Sequence, residues 1–390
     1  MTRPDLGQGH VSPASLELMQ TLMSGALGEV SYDEFTGMEL VGTPSGRIPL
    51  DEIELIELSV RYECLGRPQL SESKFKKIVR WAARKNVIDS AREWLSNLPN
   101  WDGVKRIESF LPIYLGTADS PYHRAVGRYL WSGMVARIWE PGCKADMMPV
   151  LVGSQGSKKS TLLKLIAPTE DYCADVRLTD RSADLANTIS GRSVLIWEDL
   201  QGITGRSDYD RVKAFLTRQY FETRSHAKRV GSDRYLSRYI VFGTSNNRTF
   251  LRDPDGHRRY LPFDAPDIDL RRVATDKVQF WAEAFHLVLE RKSAGLPLVD
   301  FEDAERLAKN EYENYQRAAL WVDDPNLHRW LGKQCSPFST AEALEGIGFK
   351  AEATRRQRCE MADSLRQLGY VSKRTRVHGM ANNQPRWHKS

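Results

Sequence analysis

The segment Gly153-Ser154-Gln155-Gly156-Ser157-Lys158-Lys159-Ser160-Thr161 gathers the residue types that a polyphosphate demands. Glycines let backbone N–H groups crowd around phosphate oxygens, a lysine brings charge to them, and a hydroxyl can ligate the magnesium ion that accompanies a nucleotide. Gly153 and Gly156 answer the first need, Lys159 the second and Ser160 the third; Gln155, Ser157, Lys158 and Thr161 complete a candidate site for ATP and Mg2+. Lys158 stands where such loops ordinarily carry the glycine before the lysine, so strain or crowding is expected there. A glycine-bearing strand-to-helix turn with incidental lysines would show the same letters, and only the surroundings separate the two readings.

Downstream, Val194-Leu195-Ile196-Trp197-Glu198-Asp199 is an apolar run closing on two acids. Such acids can hold magnesium and polarise an attacking water, which makes Glu198 and Asp199 catalytic candidates and Asp199, with Ser160, a metal-ligand candidate. Strands also end in acids simply because the chain is leaving the core, so the order after the loop carries the argument. Next, Phe242-Gly243-Thr244-Ser245-Asn246 delivers an amide to a strand end. Asn246 could orient water there, although an isolated asparagine is ordinarily a turn former. Asp253-Pro254-Asp255-Gly256-His257-Arg258-Arg259 then places adjacent arginines after a tight turn, where Arg258 and Arg259 could contact phosphate oxygens of their own subunit or a neighbour's.

These residues need a scaffold that delivers loops to one edge. The runs Met147–Val152, Ser193–Trp197 and Tyr239–Phe242 are short and uninterrupted, as buried parallel strands covered by helices should be. The expected fold is α/β: a P-loop NTPase parallel sheet, with an α-helical N-terminal region and a C-terminal winged-helix domain. Residues 1–50 read as a partly flexible leader with one helix around Ser15–Met23, 51–140 as a helical N-terminal region, and 141–295 as the ATPase core. Residues 296–335 read as a helical connector and 336–390 as the winged helix.

Lys and Arg exceed Asp and Glu by 56 to 51, an excess that fits an anionic partner without proving one. The five cysteines are scattered, without CxxC pairs or zinc-ligand spacing, so neither a metal site nor a disulfide framework is indicated. The N-terminus lacks a signal-peptide layout, and no run approaches the roughly 18 apolar residues of a membrane span. A cytoplasmic protein without a membrane partner is expected.

Taken together, the chain between Trp101 and Pro262 resembles the virulence-associated protein E family, phage and genomic-island P-loop ATPases related to superfamily III helicases. The matching pieces are Trp101-Asp102-Gly103 with Arg106, Pro141-Gly142-Cys143-Lys144, the glycine loop, Val212-Lys213-Ala214-Phe215-Leu216, Gly243-Thr244-Ser245-Asn246, and Asp253 through Tyr260. The resemblance implies a parallel sheet of the AAA+/helicase-like kind carrying ATP, assembly into a ring such as a hexamer, and nucleotide roles for Lys159, Ser160, Asp199 and Asn246. It implies that Arg258 and Arg259 complete a neighbouring subunit's site, with Lys213, Arg218 and Arg224 as weaker candidates for that interface. One departure is Ile196, aligned where the family tends to carry a glutamate; Glu198 and Asp199 are left to share its work.

From Ser339 onward, a helix, a basic helix and a basic hairpin follow one another, as in winged-helix domains. Arg355, Arg356, Arg358, Lys373, Arg374 and Arg376 are the expected DNA contacts, single- or double-stranded, and Lys228, Arg229 and Arg234 lie in a plausible pore region. The expected activity is an ATP-driven helicase or translocase serving phage or mobile-element replication. Its rivals are a nucleotide-gated DNA-binding initiator with little turnover, favoured by Lys158 and Ile196, and a regulatory ATPase that grips an acidic protein.

Overall fold

The computed structural model describes residues 12–177, 182–198, 200, 206–223, 233–247, 250, 259–315, 321–322, 324–334, 336–348, 355–375 and 384–389. The chain divides into two compact units, one comprising residues up to 248 together with 253–313, the other 249–252 with 314–390.

The first unit opens with helix α1 (Pro13–Met23) and a meander of β1 (Val30–Asp33), β2 (Met38–Thr43) and β3 (Gly46–Pro49). After α2 (Glu52–Cys64) and α3 (Glu72–Ala83), the short β4 (Val87–Ile88) returns to pair in parallel with β1. Leu18, Val30, Leu55, Tyr62 and Val79 interlock in one apolar cluster between these helices and strands. Residues 1–50 are therefore not a leader from Ser12 onward. The strands leave little trace in the sequence because they are short and bury few side chains: β2 has only Val41 buried and β3 none, so neither shows the alternation that marks a half-buried strand.

α4 (Ser90–Ser96), α5 (Phe110–Leu115) and α6 (Pro121–Trp139) lead to the central sheet. Its strands are β5 (Met148–Val152), β6 (Cys173–Val176), β7 (Val194–Trp197), β10 (Ile240–Ser245) and β11 (Tyr260–Asp264), all parallel, in the order β11-β5-β10-β7-β6. Every residue of β5, β7 and β10 is buried, which is why each reads as a continuous apolar run rather than an alternating one. Between the strands lie α7 (Lys159–Ile166), α8 (Ser182–Ile189), α9 (Arg206–Leu216) and an antiparallel hairpin of β8 (Tyr220–Thr223) and β9 (Asp233–Leu236).

The sheet rests on α6 and on α10 (Leu270–Ser293). α6 is buried nearly all round, as a helix between layers must be. Gly133 lets it approach β10 closely, since a Cβ there would lie 2.9 Å from Ile240 Cδ1. Trp131 stacks on Phe280 with ring centroids 4.9 Å apart and meets Trp281 edge-on at 5.9 Å. Burying rings of this size contributes about 1.5–3 kcal/mol each before entropy is counted. Trp281 Nε1 also donates to Ile166 O at 3.0 Å, pinning the end of α7 to α10.

The expected connector 296–335 divides between the units. Most of α11 (Glu302–Tyr315) belongs to the first and α12 (Pro325–Leu331) to the second. The second unit continues with α13 (Thr340–Gly346), α14 (Arg355–Gln367), β12 (Tyr370–Thr375) and β13 (Gln384–Lys389), the last two an antiparallel hairpin. Ser339 and Glu342 form a reciprocal capping box on α13. Trp387 fixes the hairpin to that helix: it is buried, donates from Nε1 to Thr340 Oγ1 at 2.9 Å, and exchanges backbone hydrogen bonds with Phe338.

No described helix is long and apolar enough to cross a membrane.

Candidate functional site

In a parallel sheet, the crevice that can receive a ligand opens at the carboxyl ends of neighbouring strands whose connections leave in opposite directions. β5 and β10 are such a pair: the chain leaves β5 for β6 at one edge and leaves β10 for β11 at the other. The two segments at their carboxyl ends are the Gly153 loop and Asn246, both singled out by residue type in the sequence.

The loop is held from both sides. Gly153 N–H donates to Ser245 O at 3.1 Å across the β5–β10 boundary, and a Cβ on Gly153 would meet Ser157 Oγ at 3.0 Å and Ala265 O at 3.3 Å. Gly156 lies in the left-handed region at φ +82°, with open space where a side chain would be. Lys158 follows it into that region, with φ 64° and ψ 17°, as the N-cap of α7. It is the single non-glycine residue with positive φ among those described. The departure from glycine thus falls on a position whose backbone calls for glycine, and the loop keeps its path at about 1 kcal/mol of local strain.

Lys159 begins α7 and is 7% exposed. Its Nζ donates to Gly153 O at 2.7 Å, Ser154 O at 2.9 Å, Ser157 Oγ at 3.2 Å and Asn246 Oδ1 at 3.1 Å. These oxygens satisfy an ammonium group that a phosphate would otherwise compensate, and they hold it inside the curl of the loop at a helix N-terminus. Asn246, expected as a water-orienting group, sits directly against the lysine. One residue on, Ser160 Oγ donates to Glu198 Oε1 at 2.8 Å. Gln155 and Thr161 remain exposed on the loop and first helical turn.

Glu198 leaves the carboxyl end of β7 and is exposed, whereas Ile196 is wholly buried within the strand between Asp175 and Phe242. An acid at 196 would point into the core. Of the two candidate acids, Glu198 reaches Ser160; Asp199 lies outside the described residues. Magnesium commonly takes only one or two carboxylates, with waters and phosphate oxygens completing its shell. The juxtaposed Ser160 and Glu198 oxygens fit such an ion, and no cluster of three or more His, Cys, Asp or Glu suited to a metal occurs among the described residues.

The arginines lie elsewhere. Arg259 immediately precedes β11, whose first residue pairs with Met148 at the amino end of β5 and whose last, Asp264, pairs with Val152 beside the loop. Arg259 therefore starts about 16 Å of extended strand away from the loop of its own chain, beyond the reach of its side chain. Arg258 lies outside the described residues. Ser245 is not among the sequence candidates, though its signal is present in the run of small residues Gly243-Thr244-Ser245 ahead of Asn246. Gly243 has a packing role as well, since a Cβ there would fall 2.7 Å from Leu200 Cδ1.

Among the DNA candidates, Arg358 is exposed on α14, and Lys373 and Arg374 are exposed on successive positions of β12, hence on opposite faces of the hairpin. Arg355 and Arg356 belong to the backbone of α14, and their side chains, like the whole of Arg376, lie outside the described part of the chain. Arg224, Lys228 and Arg229 also lie outside it, as does the side chain of Arg234 on β9.

An α/β sheet with a glycine loop, lysine, hydroxyl and acid at its switch point is the class of protein these features define. Residues 95–317 match the virulence-associated protein E-like domain, and the chain belongs to that family. No curated protein matches it. Among solved structures, it is similar to the apo C-terminal region of NrS-1 (residues 305–718), with 12% identity, a TM-score of 0.51, and coverage of 97% of this chain and 100% of that one. The A form of the same apo region gives 11% identity and a TM-score of 0.48, covering 96% of this chain and 98% of that one.

Proposed function

We propose that the chain is a P-loop ATPase that drives a helicase- or translocase-type motor on DNA, acting as a ring oligomer in the replication of a phage or mobile element. The observation that carries this reading is the convergence of Lys159, Ser160, Glu198 and Asn246 at one sheet switch point. Bound MgATP would supply the phosphoanhydride whose cleavage powers movement. On this reading the loop N–H groups and Lys159 bind the phosphates, Ser160 and an acid hold magnesium, Glu198 or Asp199 accepts a proton from the attacking water, and Asn246 orients that water.

The position of Arg259 at the amino end of β11 favours a role toward a neighbouring subunit over one in its own site. That geometry supports the oligomer, since an arginine so placed would complete a nucleotide site across a subunit interface. The DNA reading is supported by the second unit, a small helical domain whose hairpin exposes Lys373 and Arg374 and whose helix α14 exposes Arg358. Its order of helices and hairpin suits a winged helix.

Hydrolysis of ATP, with and without single- and double-stranded DNA, tests the proposal on wild type, Lys159→Ala and Lys158→Gly. The motor reading expects DNA-stimulated turnover that Lys159→Ala abolishes and Lys158→Gly preserves. Turnover that begins only with Lys158→Gly would replace it with the gated DNA-binding initiator. Turnover indifferent to DNA would remove DNA from the account.

A further inference from the structure

At the opposite end of the sheet from the glycine loop lies a cavity of about 570 Å³. It occupies the seam where the turn between β1 and β2 meets the end of α8 and the base of the β8–β9 hairpin. The seam is tightly specified. Gly191 N–H donates to Phe35 O at 3.0 Å, and Ser190 Oγ donates to Thr36 O at 2.6 Å. Gly37 and Gly191 both have positive φ; a side chain on the first would press on Ser190 and Tyr235, and on the second upon Thr36. Asp33, 1% exposed, fixes the turn by accepting from Phe35 N, Thr36 Oγ1 and both Ser90 N and Ser90 Oγ.

The walls alternate aromatic rings with guanidinium groups. Tyr32 and Tyr235, both half-buried, present rings, the buried Phe35 and Phe221 complete the wall, and Arg84, Arg192 and Arg238 present the cations. Arg84 lies 4.8 Å from the Tyr32 ring centroid, and Arg238 lies 5.9 Å from that of Phe35. Arg84 is offset by Glu39 at 3.4 Å, and Arg238 by Asp89 at 2.5 Å and Glu34 at 3.8 Å. Arg192 differs: its guanidinium donates to Gly191 O at 3.3 Å, and its buried Nε finds no hydrogen-bond partner among the described residues. Arg192 is half-buried and forms no ion pair with an acid among the described residues, so a phosphate meeting its guanidinium would gain a charge-assisted contact.

We infer that this cavity binds a nucleoside phosphate, with the base against the Tyr32 and Tyr235 rings and the phosphate against Arg192. Flat π-faces recognise any base and guanidiniums recognise the phosphate, which is the combination single-stranded nucleic-acid sites use. The volume admits one nucleotide, either free or as one residue of a strand. The strand source rests on the DNA reading above, whereas the cavity is independent of the ATP site, because Arg192 and Tyr239 precede β7 and β10 while Glu198 and Asn246 follow them.

Full-length protein is to be photo-crosslinked to oligo(dT) carrying one 5-iodo-deoxyuridine, with the modified peptides mapped by mass spectrometry. Fluorescent oligo(dT) and free dTMP are titrated in parallel on wild type, Arg192→Met and Tyr235→Ala, with melting temperature measured for each. The expected result is crosslinking at Tyr32 or Tyr235, and about tenfold or greater loss of affinity in Arg192→Met. Suppression of the crosslink by dTMP assigns the ligand as a free nucleotide; suppression by unlabelled oligo(dT) alone assigns a strand. Crosslinks confined to other segments of wild type, or variants that bind both probes as wild type does, overturn the inference, and the crosslinking arm stands even if a variant fails to fold. ATP hydrolysis by the same wild-type preparation separates failure here from failure of the motor reading.

Discussion

Lys158 occupies the left-handed conformation that glycine adopts without penalty, so Lys158→Gly should relieve strain. The expected gain is about 1 kcal/mol, read as a raised denaturation midpoint; an unchanged or lowered midpoint would mean that the lysine side chain contributes interactions that outweigh the strain. In the proposed site Lys159 and Ser160 would act through their polar atoms, and those are legible in the sequence because a loop of this kind is contiguous, its residue types and their spacing lying in one stretch. The partner acid is legible only as a pair. That Glu198 lies within reach of Ser160 while Ile196 is wholly enclosed depends on which β7 positions face the core, which a run of apolar letters does not say.

The helices beneath the sheet hold the elements in register. Glu283, on α10, accepts from Arg106 N at 2.7 Å and Ile107 N at 3.0 Å through a single oxygen, and burial raises its pKa above the usual carboxylate value. A carboxyl whose folded pKa is raised favours folding while protonated, and that contribution is lost as pH rises through the folded value. Glu283→Gln retains an acceptor without the charge, so its melting temperature relative to wild type should be higher at pH 8 than at pH 5; equal differences at both pH values would show that burial of the charge has no such effect. Gly127, on α6, has no room for a methyl because its Cβ would drive into the Ile107 carbonyl oxygen. Since backbone cannot move aside as a side chain can, Gly127→Ala should destabilise by about 1–3 kcal/mol, with wild-type stability contradicting the packing described. The buried strands β5, β7 and β10 are readable as apolar runs, but β2 and β3 are not, because little of their surface is buried. The direction and register of β11, which place Arg259 at the far end from the loop, are properties of the assembled sheet and leave no mark in a local sequence window.

At the scale of the whole molecule, the proposed motor requires assembly. If Arg259 serves a neighbour's site, Arg259→Ala and Lys159→Ala should each abolish turnover alone, and mixtures of the two should recover part of it through subunit pairs with one intact site. Mixtures that stay inactive would argue against a role in trans, and an Arg259→Ala protein that keeps its turnover would place Arg259 outside the reaction. If the second unit grips DNA through phosphates, replacing Lys373 and Arg374 with Ala should weaken binding across sequences and reduce the salt slope by about one for each phosphate no longer neutralised; an unchanged slope would point to a protein partner. The first of these expectations depends on the central claim, that the loop 153–160 binds MgATP. Equilibrium binding of a non-hydrolysable ATP analogue, with and without magnesium, to wild type, Lys159→Ala and Ser160→Ala tests it most directly. The predicted result is magnesium-dependent binding by wild type, loss of binding in Lys159→Ala, and loss of the magnesium dependence in Ser160→Ala. Equal affinity in all three proteins would contradict it.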